Sequence, residues 1–171
     1  KNVSVSLIVG GNVVQEEFGD LDFTNGGIEG PIGFKVSRKA VHALVNGEKV
    51  ELILDMKPAI SVEQLKDRVN KEIVACNSRN LNVILRKLLP VRLISVFKDC
   101  NADLQIGNLP EKLKNWKFKI VGNVGYERCV VTAGGVSLDE VAPKTLESKL
   151  VPGLYFAGEV IDADAYTGGF N

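Results

Sequence analysis

The hydrophobic pattern changes its period twice along this chain, and that change constrains the fold more than any other feature. Residues 3–9 alternate apolar and polar side chains, which is typical of a strand with one buried face. From Ser61 the apolar residues recur at helical spacing instead, and the strand pattern returns after Trp116. We therefore predict an α+β fold, in which a β-barrel-like domain is interrupted by a small helical bundle.

Turn and cap signals divide the pattern into elements. Gly10-Gly11-Asn12 predicts a hairpin turn, and Ser61-Val62-Glu63-Gln64 predicts a capping box at a helix start. Strands are predicted at 3–9, 13–18, 21–24, 48–54, 118–121, 128–132 and 154–157. Helices are predicted at 31–45, from Ser61, and at 81–89, 91–97 and 110–116. These elements give a barrel-like domain at 1–56 and 117–144 and a helical subdomain at 57–116.

The glycine-rich segment before the first helix has two interpretations. Gly26-Gly27-x-x-Gly30-Pro31 supplies the backbone freedom of an anion-binding nest. The same residues also suit a tight loop that enters a helix, because proline is favoured in the first helical turn. We favour the tight loop, since Glu29 at the same place would repel an anionic ligand.

Composition excludes several classes of function. Lys+Arg and Asp+Glu are both 21, so the net charge is zero, which argues against a general nucleic-acid or anionic-membrane surface, although a local basic patch remains open. No apolar run reaches the roughly 18 residues of a membrane span. The three cysteines are widely spaced and form no CxxC motif, so we expect reduced thiols in a cytoplasmic protein. No metal-ligand spacing is present, and the lone His42 is expected to be a packing or surface residue.

The C-terminal part contains the candidate site. A strand is predicted to end at Gly134-Gly135, and another at Gly158-Glu159, and paired glycines let a backbone approach a flat ligand closely. Thr167-Gly168-Gly169 would lie at the start of a helix, where free amides stabilise negative charge. These amides suit the carbonyl edge of an isoalloxazine ring, and the Glu159 carboxylate suits ribityl hydroxyls.

Four segments carry a resemblance to a known family: Thr132–Val136, Glu140–Lys149, Gly153–Asp162 and Thr167–Asn171. They resemble the bacterial NAD(P)/FAD-dependent oxidoreductases similar to aminoacetone oxidase. Phe23–Pro31 is also similar to that family's Thr-His-x-Gly-x-Ser-Gly-Pro segment, with Asn25 in place of His and Glu29 in place of Ser.

The resemblance implies an insert domain in a Rossmann-like flavoprotein, followed at 145–171 by part of the FAD domain. It implies FAD contacts at Gly134, Gly135, Val136, Gly158, Glu159, Asp162, Thr167, Gly168, Gly169 and Asn171. It identifies no catalytic residue and no metal ligand.

We accordingly expect a fragment whose partner is the FAD-binding half of a longer polypeptide, with no nucleic-acid and no membrane partner. The parent would be an FAD-dependent oxidoreductase in which this insert covers the flavin and helps to form the site for an unknown small molecule. The fragment alone would be inactive and would not hold FAD, because a half-site leaves the pyrophosphate unbound. The alternative is a non-catalytic binding or interaction module.

Overall fold

The computed structural model of the protein describes residues 2–24 and 26–163. Its strands are β1 (Asn2–Val9), β2 (Asn12–Asp20), β3 (Asp22–Thr24), β4 (Gly27–Glu29), β5 (Val50–Asp55) and β6 (Trp116–Ile120). Its α-helices are α1 (Gly30–Val45), α2 (Val62–Cys76), α3 (Leu81–Leu88), α4 (Val91–Asp99) and α5 (Leu109–Lys114). Short 3₁₀ helices follow at Tyr126–Arg128, Leu138–Glu140 and Gly158–Val160.

The main sheet is antiparallel throughout, with the strand order β2-β1-β5-β6. The predicted β1–β2 hairpin is confirmed, and its turn uses positive φ angles of 57° at Gly10 and 89° at Gly11. Strands β5 and β6 are neighbours, with Leu54 opposite Trp116, although α2 to α5 lie between them in the chain. The helices are thus inserted into one sheet, as the double change of period predicted.

The mixed α and β composition is confirmed, but the barrel is not closed among the described residues. Strands β2 and β6 form the two edges of the main sheet, and β3 pairs with β4 in a separate two-stranded sheet. The described sheet is therefore open, and α1 packs across β1, β2 and β5 on its inner face.

The core joins this sheet to the inserted helices. Inward-facing residues of β1 and β5 are buried, including Val5 and Leu54, because alternate side chains of a strand point to one face. Trp116 is fully buried at the start of β6 and lies edge-on to Phe97 of α4, with ring centroids 5.0 Å apart. Its ring also lies 4.7 Å from that of Phe118. Sheet and helices therefore share one hydrophobic core.

The helix boundaries agree closely with the sequence signals. In the capping box, Ser61 Oγ accepts from the N–H of Gln64 at 3.2 Å, and Gln64 Oε1 accepts from the N–H of Ser61 at 2.9 Å. Gly47 has a φ of 76° just past α1, as expected at a helix end. The helix predicted at 110–116 stops at Lys114, however, because Trp116 pairs with Leu54 in the sheet.

Two strand predictions need correction, and one strand was not predicted. The segment 128–132 is no strand, since its first residue ends the 3₁₀ helix Tyr126–Arg128 and residues 129–132 are irregular. The segment 154–157 has only one bridge, between Tyr155 and Glu147. Strand β4 was not predicted. It places Gly27 in a tight hairpin that leads into α1, which agrees with the tight-loop interpretation of this segment rather than with the anion-binding nest.

Candidate functional site

Two of the predicted cofactor segments lie side by side in the structure. The N–H of Val136 donates to the carbonyl of Val160 at 2.8 Å, and the N–H of Asp162 donates to the carbonyl of Val136 at 2.9 Å. Val136 and Ile161 form a parallel bridge. Among the predicted site residues, Gly135, Val136 and Asp162 are therefore in direct contact, and Gly134, Gly158 and Glu159 belong to the same two segments.

Packing within the protein accounts for Gly135. Its φ is 148°, and a Cβ at this position would overlap the carbonyl of Val160 and lie 3.1 Å from the amide nitrogen of Asp162. A side chain at 135 would therefore push the two segments apart. This glycine was predicted to allow close approach by a ligand, but in the structure its open side faces the protein's own backbone.

Gly134 and Gly158 remain open to a ligand. Both have positive φ angles, 99° and 76°, and apart from each glycine and its chain neighbours no described atom lies within 4 Å of the place where a Cβ would be. Gly158 begins the 3₁₀ helix Gly158–Val160. These two positions fit a backbone surface against which a flat ring can lie.

The acidic side chains of the segment point to solvent. Glu159 and Asp162 are both exposed, and the Glu159 carboxylate has no hydrogen-bond partner within residues 2–24 and 26–163. A carboxylate is an acceptor with several free lone pairs, so Glu159 can receive sugar-like hydroxyl groups. The acceptor oxygens of this segment therefore fit the hydroxyl groups of a flavin's ribityl part.

A compact turn precedes the 158–162 segment in the chain. The N–H of Ala142 donates to the carbonyl of Glu147 at 2.8 Å, and that of Phe156 donates to the carbonyl of Leu146 at 2.9 Å. The Glu147 carboxylate accepts from the N–H of Gly153 at 2.8 Å. The Glu147 side chain thus closes this turn, and its role was not predicted, because no spacing in the sequence indicates a contact between a carboxylate and a backbone amide.

The remaining predicted residues, Thr167, Gly168, Gly169 and Asn171, lie outside the described residues, and their contacts with FAD stay predictions. His42 on α1 approaches the side chain of Asn46 at 3.3 Å, a contact within one helix. In the described part of the chain, no group of His, Cys, Asp and Glu side chains could hold a metal ion, and Cys76, Cys100 and Cys129 are free thiols. None of the described helices is both long and apolar enough to cross a bilayer.

Comparison with protein families identifies the class of protein. A family described as "HI0933-like protein barrel and H2TH domain" matches residues 1–131, which include the sheet and all the inserted helices. The chain therefore belongs to the HI0933-like family, which is related to FAD-dependent oxidoreductases, in agreement with the resemblance found in the sequence. The family match ends just before Gly134.

Named relatives cover the rest of the chain. The 3-dehydro-bile acid delta(4,6)-reductase of Clostridium scindens is 27% identical over 99% of this chain and 44% of its own length. The ribosomal RNA dihydrouridine synthase of Haemophilus influenzae is 31% identical over 90% of this chain and 39% of its own length. The Escherichia coli protein of the same name is 29% identical over 98% of this chain and 42% of its own length. The chain thus spans about two fifths of the length of these relatives.

Proposed function

We propose that this chain is the insert and first flavin-contacting segment of an FAD-dependent reductase. The observation that carries the proposal is the pairing of Gly135 and Val136 with residues 160–162, because the two paired segments are those that resemble flavoprotein motifs. The family assignment supports the same class. The FAD-binding half of the parent polypeptide would be the partner of this surface, and we expect a cytoplasmic protein.

The names of the relatives suggest a reaction class. A 3-dehydro-bile acid with double bonds at positions 4 and 6 contains a carbon–carbon double bond conjugated to a ketone. Uridine contains a ring double bond conjugated to a carbonyl, and its reduction gives dihydrouridine. We infer that the parent of this chain also reduces a carbon–carbon double bond conjugated to a carbonyl group.

FAD, when bound and reduced, would supply the hydride that adds to the β-carbon of such a substrate, and the α-carbon would then be protonated. The residues of this chain would bind and orient. The open backbone at Gly134 and Gly158 would lie against the ring, and Glu159 would accept hydrogen bonds from the ribityl chain. The insert would cover the flavin, keep water from it and form one wall of the substrate site. No residue is assigned as the proton donor.

The test uses the complete parent polypeptide. We expect the purified protein to be yellow, and the Glu159→Ala variant to bind FAD at least tenfold more weakly, because one hydrogen bond to a charged group contributes about 1.5–3 kcal/mol. Glu140→Ala removes another exposed carboxylate and is the matched control, with unchanged affinity expected. FAD affinity is measured by titration of the apoprotein, following flavin fluorescence.

Substrate class is tested by anaerobic reoxidation of the reduced protein with a conjugated enone and with its saturated analogue. Only the enone should restore the oxidised spectrum. A colourless, flavin-free parent would refute the proposal, and partner binding by that flavin-free protein would favour the alternative of a non-catalytic interaction module.

A further inference from the structure

Positive charge is concentrated on two of the inserted helices, although the whole chain is neutral. Residues 73–98 contain no aspartate or glutamate, and they include five cations: Arg79, Arg86, Lys87, Arg92 and Lys98. This stretch includes the end of α2 and nearly all of α3 and α4. Zero net charge led us to expect no nucleic-acid partner, but the uneven distribution of charge leaves a local basic surface open.

All five cations are exposed, and we call them the α3–α4 basic face. No carboxylate in the described ranges forms an ion pair with any of them, whereas Lys35, Lys49, Lys66, Lys112 and Lys114 all have carboxylate partners. These five cations therefore have no ion-pair partner that the structure describes, and Asp99, which ends α4, is the acidic residue next to them in the chain. Exposed cations without ion-pair partners attract polyanions over distances of about 8–10 Å.

Packing brings cations from the two helices together. Lys98 Nζ, on α4, donates to Asn82 Oδ1, on α3, at 3.2 Å. Arg86 lies one helical turn beyond Asn82, on the same side of α3, because residues four apart are neighbours on a helix surface. The opposite side of α3 is buried through Ile84 and Leu88, which holds these groups outward. Lysine, amide and guanidinium thus form one continuous polar surface.

The chemistry of this face fits a nucleic-acid backbone better than a membrane. Phe97 is the only aromatic residue in 73–98, and it is fully buried, so the stretch provides no exposed ring to anchor in a bilayer interface. It likewise provides no ring on which unpaired bases can stack, as single-stranded RNA usually requires. Cations with neighbouring amides suit the phosphates and 2′-hydroxyls of an A-form duplex.

We propose that the α3–α4 basic face binds the backbone of double-stranded RNA. RNA is favoured over an acidic protein because two relatives that match at least 90% of the chain are named ribosomal RNA dihydrouridine synthases. The proposal deepens the proposed function by naming a substrate class. It is nevertheless a statement about binding, and it can be tested without flavin.

The experiment measures binding of the purified 171-residue chain to a fluorescein-labelled RNA hairpin by fluorescence anisotropy, over a series of KCl concentrations. Arg86→Ala/Lys98→Ala removes two cations of the face, and Lys117→Ala/Lys119→Ala removes two exposed lysines of β6 as the matched control. We expect the first variant to bind at least tenfold more weakly. The slope of log K against log salt should shrink by about 1.8, because each phosphate contact contributes about 0.9. The control should bind like the unmodified chain.

Three outcomes would overturn the proposal. The first is an equal loss of affinity in both variants, which would indicate a diffuse charge effect. The second is equal binding of poly-glutamate by the unmodified chain, which would indicate an acidic protein partner. The third is binding to phosphatidylglycerol-containing vesicles but not to RNA. Circular dichroism of both variants checks that each is folded. Failure here would leave the flavin proposal intact, since no measurement depends on the cofactor.

Discussion

Lys114 holds the inserted helices to the sheet at the point where the chain returns from α5 to β6. Its ammonium group donates to Asp55 Oδ2 at 2.6 Å, to the carbonyl of Ile60 at 2.7 Å and to that of Lys57 at 3.0 Å. The Lys114 side chain is 15% exposed and that of Asp55 21%, so solvent replaces little of this contact. One cation therefore satisfies three acceptors around the end of β5.

Lys114→Met keeps the aliphatic part of the side chain and removes the three hydrogen bonds. Hydrogen bonds to a charged group contribute about 1.5–3 kcal/mol each, but exposed ion pairs contribute about 0–1 kcal/mol. Burial of the site places the expected loss above that of an exposed ion pair. Water that reaches the three acceptors in the variant places it below the sum of three charged hydrogen bonds. We therefore expect a loss of about 3 kcal/mol in the free energy of unfolding. For a chain of this size that loss lowers the melting temperature by roughly 6–12 °C.

Trp116 is the single tryptophan and is fully buried beside this junction, so its fluorescence reports unfolding in urea. The midpoint should fall while the slope m stays constant. Lys119→Met, on the exposed side of β6, is the control and should change stability by less than about 0.5 kcal/mol. If the two variants unfold within about 0.5 kcal/mol of each other, Lys114 does not join helices and sheet as argued.

Three further predictions concern single positions. Ser61→Ala removes the hydroxyl of the capping box and should lower stability by about 1 kcal/mol, measured by urea denaturation. The pKa of Glu17 is lowered, chiefly by the hydrogen bond from the Gln15 amide, so unfolding should take up a proton in the window below about pH 4.5. The unmodified chain should therefore lose stability more steeply than Glu17→Gln as the pH falls through that window. Gly135→Ala forces a side chain against Val160 and should speed amide exchange of the 136–162 pairing at least tenfold, as mass spectrometry would detect.

Each of these three has its own control. Ser95→Ala, at an exposed position inside α4, removes no capping hydrogen bond and should change stability by less than about 0.5 kcal/mol. Glu16→Gln, on the exposed side of β2, should lose stability with falling pH as steeply as the unmodified chain does. Gly122→Ala has open space around it and should leave exchange at 136–162 unaltered. A loss below about 0.3 kcal/mol in Ser61→Ala would contradict the capping argument. Identical acid profiles of Glu17→Gln and Glu16→Gln would contradict the argument about the Glu17 pKa. Unchanged amide exchange in Gly135→Ala would contradict the packing argument.

Local signals were enough to predict the hairpin and the helices. The turn at Gly10-Gly11 and the cap at Ser61 act through backbone geometry and hydrogen bonds within a few residues, so neighbouring residues suffice to predict them. The insertion of the helices was likewise predicted, because the hydrophobic period reports which face of each element is buried. The pairing of β5 with β6 then follows from one continuous sheet.

Strand predictions failed where the outcome depends on pairing partners. The segments 128–132 and 154–157 are rich in residues with high β-propensity, yet propensity measures packing against neighbours more than a preference of the backbone. Val130 and Tyr155 are 58% and 60% exposed, so little burial rewards an extended ladder there. The proximity of Val136 to Ile161 was not predictable either, because a single bridge between irregular segments leaves no periodic pattern.

The placement of four helices between two adjacent strands has a kinetic consequence. Leu54 and Trp116 can pair only after the long chain segment between them has brought its two ends together. Closing so long a loop costs conformational entropy before any contact is gained. Compact helices shorten the distance that the chain must bridge. Refolding of this sheet should therefore slow when α2 is weakened, as stopped-flow fluorescence of the Ser61→Ala variant would measure. The Ser61 hydroxyl would then influence the rate at which β6 pairs with β5, although it lies in neither strand.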